Sequence, residues 1–167
     1  MENYIVINGK RIDLSEEQIE KLGLKVEKKT PFDRNKNGEY FFVDCTGNVA
    51  NFKDEDFLDE QMFKVGNYCR DKEIMIKRAK EEVLNRLLWR FSIENGGDKI
   101  DWQDDNQKKY YIFHIESNDE WLIYYHTRHV VSGSVYFIDV KVAKRAVTEI
   151  IRPFYAGELE VCKIWEL

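Results

Sequence analysis

The chain has 167 residues, of which 43% are hydrophobic and 14% aromatic, enough apolar material for one compact domain or two small, tightly packed units. That composition excludes an intrinsically disordered chain. A net charge of −5 disfavours a globally basic nucleic-acid-binding protein, while leaving room for a local basic face.

Residues 1–28 predict a β-hairpin followed by a short helix. Apolar and polar residues alternate on both sides of Asn8-Gly9, a pair that favours a two-residue hairpin turn with positive φ. Ser15 and Gln18 have the spacing of a capping box, in which two side chains satisfy the first N–H groups of a helix. Gly23 can end that helix.

Residues 29–97 predict three strands and a long helix. "GEYFFVDCTGNVANF" contains two strands around a turn at Thr46-Gly47-Asn48, and "QMFKVGNYC" is expected to return as a third strand. Between them, Lys53–Glu60 predicts an acidic surface loop with five acids and one base. Asp71 occupies an N-cap position before apolar residues of helical period, and Gly96-Gly97 is expected to end the helix.

Residues 98–167 predict the same order of elements. "KKYYIFHIES" and "EWLIYYHTRHVV" are aromatic and β-branched, and a turn at Ser117-Asn118-Asp119 joins them. "SVYFI" predicts a third strand, and Asp139 is the expected cap of a helix that Pro153 halts. The tail "ELEVCKIWEL" alternates in the manner of a final strand.

The second and third predicted units contain a similar phrase, 68 residues apart. With no gap, Tyr136 falls on Tyr68 and Asp139 on Asp71, and "YYIF" matches "YFFV" at the nearly equal offset of 70. A βββα unit buries one face of its sheet under its helix, and two such units can share a core. The expected fold class is therefore α+β: an N-terminal hairpin and helix, then two βββα-like repeats with antiparallel sheets packed on amphipathic helices. Chance similarity between two strand-to-helix transitions is the alternative.

The sequence lacks the patterns typical of enzymes and of metal sites. It has no phosphate-binding loop and no nucleophile elbow, and its paired acids fall in predicted turns. His126 and His129 are three residues apart on one strand, which sends them to opposite faces. Cys45, Cys69 and Cys162 are odd in number and widely spaced, which indicates reduced thiols. We expect a non-catalytic protein without a metal or cofactor.

The expected location is the cytoplasm. The N-terminal residues show no basic segment followed by an apolar run, so no signal peptide is predicted. No apolar stretch approaches the ~20 residues needed to span a bilayer, so no membrane association is expected.

Two surfaces are candidates for contact with a partner. On the strand "WLIYYHTRHV", Tyr124, His126 and Arg128 share a face that could stack and hydrogen-bond with a protein or with single-stranded nucleic acid. Core packing with an ordinary solvated face is the alternative for this strand. The other candidate is the acidic loop, through Asp54, Glu55, Asp56, Asp59 and Glu60.

The two long helical segments carry excess positive charge. Arg70 to Arg90 has a net charge of +3, and so has Lys141 to Arg152. This pattern leaves open a nucleic-acid-binding module that contacts phosphates. Its candidate residues are Lys77, Arg78, Lys144 and Arg145.

Four stretches resemble a group of small accessory proteins from phages and prophages of Gram-positive bacteria: "INGKRIDLSEEQIEKLGL", "VGNYCRDKEIMIKRA", "KKYYIFHI" and "VYFIDVKVAKRA". The chain departs from that group at Cys69, where an aromatic is expected, and at Met75, where alanine is usual. The resemblance implies a bacterial host and an anti-defence role. Small non-catalytic phage proteins of this kind often counter defences such as CRISPR nucleases.

The resulting hypothesis is a non-catalytic binding protein that inhibits a host defence complex, with a CRISPR–Cas effector nuclease first among the candidates. Acidic segments could occupy a positively charged channel built for DNA phosphates. Two alternatives stay open. One is the nucleic-acid-binding module, and the other is a pocket protein that sequesters a nucleotide signal by stacking its base on aromatics and holding its phosphate with arginines.

Overall fold

The computed structural model describes residues 4–23, 30–128 and 130–165. It combines small antiparallel sheets with helices, which confirms the α+β class. The chain divides into two compact units after Asp33, so both copies of the repeated phrase lie in the second unit. The boundary predicted after residue 28 falls outside the described residues.

The first unit begins with the predicted hairpin. β1 (Tyr4–Ile7) and β2 (Lys10–Asp13) pair antiparallel. Asn8 and Gly9 connect them with φ values of 50° and 75°. Two successive positive φ angles are those of a type I′ turn, whose twist matches that of the strands, and asparagine and glycine adopt them at the least cost.

The capping box predicted for the following helix is also present. α1 (Glu16–Lys21) follows Ser15, whose Oγ accepts a hydrogen bond from the Gln18 N–H at 3.3 Å. The Ser15 N–H donates in return to Oε1 of Gln18 at 2.9 Å. Gly23 follows with a φ of 68°, the left-handed conformation typical of a helix end.

The first sheet of the second unit is a two-stranded hairpin. β3 (Glu39–Val43) pairs with β4 (Val49–Lys53) around the predicted turn. The acidic loop and third strand predicted after this hairpin are wrong in large part, because α2 (Phe57–Lys64) forms there. The carboxylate of Asp56 accepts the Leu58 N–H at 2.7 Å and so starts the helix.

Only one bridge remains of the third strand expected in this copy. Cys69 pairs antiparallel with Phe41, on the side of β3 that β4 leaves free. α3 (Lys72–Glu94) follows, and the Asp71 carboxylate accepts the N–H of Glu73 at 2.9 Å, as predicted for its cap. Gly96, with a φ of 90°, follows the end of α3, and a short 3₁₀ helix spans Gly97–Lys99.

The second sheet has three strands. β5 (Lys109–Ile115) lies between β6 (Glu120–His126) and β7 (Tyr136–Phe137), and all pairs are antiparallel. The carboxylate of Asp139 caps α4 (Val140–Ala146) by accepting the Lys141 N–H at 2.7 Å. This copy therefore has the predicted strand, strand, strand, helix order.

Two predictions about the end of the chain are wrong. Pro153 does not halt the last helix, because a π-turn over Val147–Ile151 leads directly into α5 (Arg152–Tyr155). The wider turn accommodates a residue that has no N–H to donate. The tail is not a strand either: Glu160–Trp165 forms a 3₁₀ helix. Leu159, Val161 and Trp165 pack on a helical core instead, and Cys162 is buried there.

The two copies have the same strand topology, but their first strands correspond at an offset that differs from the one predicted. In each, a segment after the hairpin pairs with the free side of the first strand: Cys69 with Phe41, and Phe137 with Tyr110. The N-cap aspartates align these third segments at an offset of 68. The first strands then correspond at an offset of 69, one residue less than the sequence comparison indicated.

α3 ties the two sheets together. Three buried clusters lie along it, to which it contributes Met75, Val83 and Phe91 in turn. Met75 and its counterpart Ala143 are both fully buried, so the larger side chain in the first copy and the smaller one in the second each fill core space. Within the described residues, no helix has the length and apolar character needed to cross a membrane.

Candidate binding surface on the second sheet

The second sheet buries one face and exposes the other. Ile123 and Trp121 of β6 pack against the helical clusters. Leu122 and Tyr124 point the other way and keep 39% and 57% of their surface exposed. We call this second side the outer face. The strand face on which Tyr124, His126 and Arg128 were predicted to lie together is therefore the solvent side of the sheet.

Cross-strand pairs give the outer face an aromatic surface. Tyr111 lies directly opposite Tyr124, and Phe113 opposite Leu122. The His126 ring stacks on Tyr111 with 5.0 Å between centroids and 10° between planes. Because these side chains stand on paired strands, the surface is rigid and needs little ordering when a partner binds.

One end of the outer face is closed by the loop that follows α3. Lys109 is fully buried there, and its Nζ donates to the carbonyl oxygens of Asp104 at 2.5 Å and Thr127 at 2.8 Å. Trp102, from the same loop, packs edge-on to Tyr136 at 5.0 Å. Sequence reasoning missed the inward turn of Lys109 because lysine is almost never fully buried.

The same loop gives the outer face a negatively charged border. Residues 98–105 hold four acids and one base. Arg128, the basic residue predicted to serve this surface, forms an ion pair with Asp105 at 2.9 Å and is thereby compensated. A surface of aromatic rings beside excess acid is matched best by an apolar patch with positive charge around it.

The corresponding face of the first sheet is covered in part by the chain itself, while Phe52, opposite Tyr40, stays exposed. Tyr40 and Tyr68 stack there at 4.4 Å, and Phe63 of α2 packs edge-on to Tyr68 at 5.5 Å. The Tyr40 hydroxyl donates to Asp59 of α2 at 2.6 Å. A helix thus fits on an aromatic sheet face of this type, and the first copy supplies its own.

Most of the acidic side chains predicted to form a partner surface are instead engaged in contacts within the chain around α2. Asp54 and Asp59 are buried, since Arg34 donates two hydrogen bonds of 2.8 Å to Asp54 and Tyr40 donates to Asp59. These hydrogen bonds hold the pKa of each carboxyl below its usual range. The acids of this segment therefore pair within the fold. The prediction of a surface loop did not include such pairing.

The other three acids of that segment also have partners. Glu55 pairs with Lys53 at 2.5 Å, and Glu60 pairs with Lys64 at 2.5 Å and with Arg34 at 3.4 Å. Asp56 is the cap of α2. Their assignment to a partner interface stays a prediction, but little uncompensated charge remains on this segment to attract one.

The basic helix residues divide into paired and unpaired ones. Arg78 pairs with Glu82, and Arg145 with Glu149, each at 2.7 Å on its own helix. The exposed Lys77 and Lys144 form no ion pair with a carboxylate of the described residues. Their role in nucleic-acid binding stays a prediction, since half of the proposed set is already neutralised.

The titratable groups do not assemble into a metal-binding cluster in the part of the chain that the structure describes. No cluster of three or more histidine, cysteine, aspartate or glutamate side chains suited to a metal is found among these residues. His114 Nε2 lies 2.9 Å from Asp119, but this pair is at an exposed turn. His129 lies outside the described residues.

Comparison with known proteins gives no match: no protein family, curated protein or solved structure resembles the chain significantly. The surface must therefore be interpreted from its own chemistry. Sequence reasoning found Tyr124 and His126 but missed Tyr111 and Phe113 on the partner strand. The predicted turn at 117–119 could have revealed them, because it fixes the strand register that places Tyr111 opposite Tyr124 and Phe113 opposite Leu122.

Proposed function

We propose that this is a non-catalytic binding protein whose working surface is the outer face of the second sheet. The observation that carries the proposal is the contrast between the two copies. On the first sheet, α2 covers Tyr40 and Tyr68 and leaves Phe52 exposed, whereas both Leu122 and Tyr124 remain exposed on the second. Tyrosines in a rigid cluster are typical of residues that dominate binding energy at protein interfaces.

The chemistry of the surface favours a protein partner over a nucleic acid. Two basic residues at this surface are not available to bind phosphates, because Lys109 is buried and Arg128 is paired with Asp105. The acidic loop beside it would repel phosphates. The partner should instead present apolar side chains surrounded by positive charge, and α2 shows that an amphipathic helix is an element that fits.

The resemblance to phage accessory proteins supports a host defence complex as the first partner to test. CRISPR effector nucleases hold nucleic acid in positively charged channels, which supply the required charge. Binding there would exclude DNA or RNA without any catalysis by the inhibitor. Because the acidic border contributes through long-range attraction, the affinity should fall as salt concentration rises.

The test is co-elution with, and inhibition of, a panel of purified defence nucleases. In the variant Leu122→Ser with Tyr124→Ser, affinity should drop about 100-fold, because two central side chains of an interface are removed. The control Phe57→Ser with Leu58→Ser removes two apolar side chains from α2 that are more exposed than Leu122 and Tyr124. It should bind normally.

Two results would contradict the proposal. One is that no nuclease of the panel co-elutes with the wild-type chain or is inhibited by it. The other is that the α2 control loses binding while the sheet variant retains it, which would move the interface to α2. Circular dichroism of both variants distinguishes a loss of binding from a loss of folding.

A further inference from the structure

A cavity of about 330 Å³ lies between α3 and the C-terminal helical segments, away from the outer face of the second sheet. Its volume is at the lower end of the ~300–1,000 Å³ of small-molecule sites. Buried Phe154 and Cys162 form its floor. The remaining lining residues are Lys77, Lys80, Glu81, Tyr155, Gly157 and Trp165.

Internal contacts hold the apolar walls of this cavity in place. The Trp165 indole N–H donates to the carbonyl oxygen of Gly47 at 3.1 Å, and its ring packs edge-on to Phe154 at 5.9 Å. The Cys162 thiol donates to the carbonyl oxygen of Phe154 at 3.3 Å. The cavity is therefore formed before any ligand arrives, which lowers the entropic cost of binding.

The π-turn before α5 contributes to the shape of the cavity. Its extra residue is stabilised by a hydrogen bond from the Arg152 N–H to the carbonyl oxygen of Val147. One added residue per turn changes the direction of every later side chain, here Phe154 and Tyr155. As a result, one aromatic lies in the floor while its neighbour lines the opening, where Tyr155 is 65% exposed.

The charge around the opening is positive. Lys77 and Lys80 contribute two cations against the one anion of Glu81. No ion pair joins either lysine to a carboxylate of the described residues, and Lys80 Nζ lies 5.8 Å from the centroid of the Trp165 ring. Burial and the nearby charge of Glu81 raise the pKa of Tyr155, so its hydroxyl stays neutral and can donate a hydrogen bond.

From these features we propose that the cavity binds a small anion that carries a planar ring. The ring packs against Tyr155 and Trp165, and the anionic group is held by Lys77 and Lys80. Nucleotides and aromatic carboxylates share this chemistry. The site is separate from the proposed protein-binding surface, so either assignment stands without the other.

The test is calorimetric titration of the full chain with four probes: adenosine monophosphate, adenosine, inorganic phosphate and 2-naphthoate. Adenosine and phosphate should each bind at least ~10-fold more weakly than adenosine monophosphate, since each lacks one of the two contacts. Stronger binding of the monophosphate than of naphthoate identifies nucleotides as the ligand class, and the reverse identifies aromatic carboxylates. Absence of binding by both planar anions overturns the proposal.

Matched variants locate the site. Lys77→Gln with Lys80→Gln should weaken binding of the planar anion about 10-fold, because two charge-assisted contacts are lost. The control Lys36→Gln with Lys141→Gln removes the same charge from exposed positions that do not line the cavity and should leave affinity unchanged. Tyr155→Ala, at an exposed position, should also weaken binding. Equal losses in the two lysine pairs, or none in either, would overturn the assignment.

Discussion

Tyr40 and Lys109 occupy corresponding positions on the outer faces of the two sheets, and both are almost completely buried. The means differ. A separate helix, α2, covers Tyr40, and its Asp59 carboxylate accepts a hydrogen bond from the Tyr40 hydroxyl at 2.6 Å. Lys109 is covered by a short loop, whose Asp104 carbonyl accepts from its Nζ at 2.5 Å. Beyond these positions, Tyr68 of the first face packs against α2 and Phe52 is exposed, whereas on the second face Leu122 and Tyr124 are both exposed.

The difference shows how one topology can serve two purposes. In the first copy, Asp59 of the inserted helix accepts a hydrogen bond from Tyr40 of the hairpin, and beside it Asp54 accepts from Arg34. In the second copy, the strands are longer and a third strand forms, so the sheet needs no such cover to persist. The first region is therefore expected to respond to mutation through stability, and the second through binding.

The largest contrast should come from the two aspartate–arginine pairs. Asp54 is buried and receives two hydrogen bonds of 2.8 Å from Arg34. Replacing Asp54 with alanine should lower the free energy of unfolding by about 3 kcal/mol, because the partly buried Arg34 loses both of these hydrogen bonds and keeps only its pairing with Glu60 at 3.4 Å. Urea unfolding at neutral pH measures this.

Asp105 supplies the matched control, since it pairs with Arg128 at 2.9 Å on the surface. Asp105→Ala should change stability by less than about 1 kcal/mol, as is usual for an exposed ion pair. If both variants lost the same stability, the covered and open regions would not differ as argued.

Local signals in the sequence were enough for most of the architecture. Asn8-Gly9, Asp71 and Asp139 act through hydrogen bonds within a few residues, so their turn and caps could be predicted without knowledge of the tertiary structure. The local sequence does not determine which of the two faces of β6 is exposed. The burial of Trp121 and Ile123 against the helices, which no local pattern determines, decided between them.

The wrong predictions share a cause in tertiary context. The acids around Asp54 were interpreted by charge alone, but their burial depends on Arg34, which lies twenty residues earlier in the chain. Cys69 shows the same effect, since its expected strand shortens to one bridge once α2 takes up the preceding residues. Pro153 continues a helix because the wider π-turn before it relieves the conflict.

Acid should destabilise the first region before the second. Hydrogen bonds from Arg34 lower the pKa of Asp54, and those from Tyr40 and the Asp56 N–H lower that of Asp59. Each folded-state pKa then lies below the unfolded value of about 3.9, so the stabilisation is complete above that pH and is lost as pH falls through the folded-state pKa.

Amide hydrogen exchange monitored over this acidic range tests the order of the two regions. Exchange in β3 and β4 should accelerate at a higher pH than exchange in β5 and β6. The variant Asp54→Asn should flatten the pH dependence of stability, since it removes one of the titrating groups. Loss of protection in β5 first would reverse the expected order.

The smallest expected difference in stability is between variants that lack one tyrosine hydroxyl on either outer face. Tyr40→Phe removes the hydrogen bond to Asp59 and should cost about 1.5 kcal/mol, because a buried charged acceptor loses its donor. The Tyr111 hydroxyl makes no hydrogen bond to a described residue, so Tyr111→Phe should change stability by less than about 0.5 kcal/mol. Thermal unfolding of the two variants measures both values. A comparable loss at Tyr111 would mean that its hydroxyl is already engaged within the fold, and a surface engaged in that way would be less available to a partner than the exposure of Tyr124 indicates.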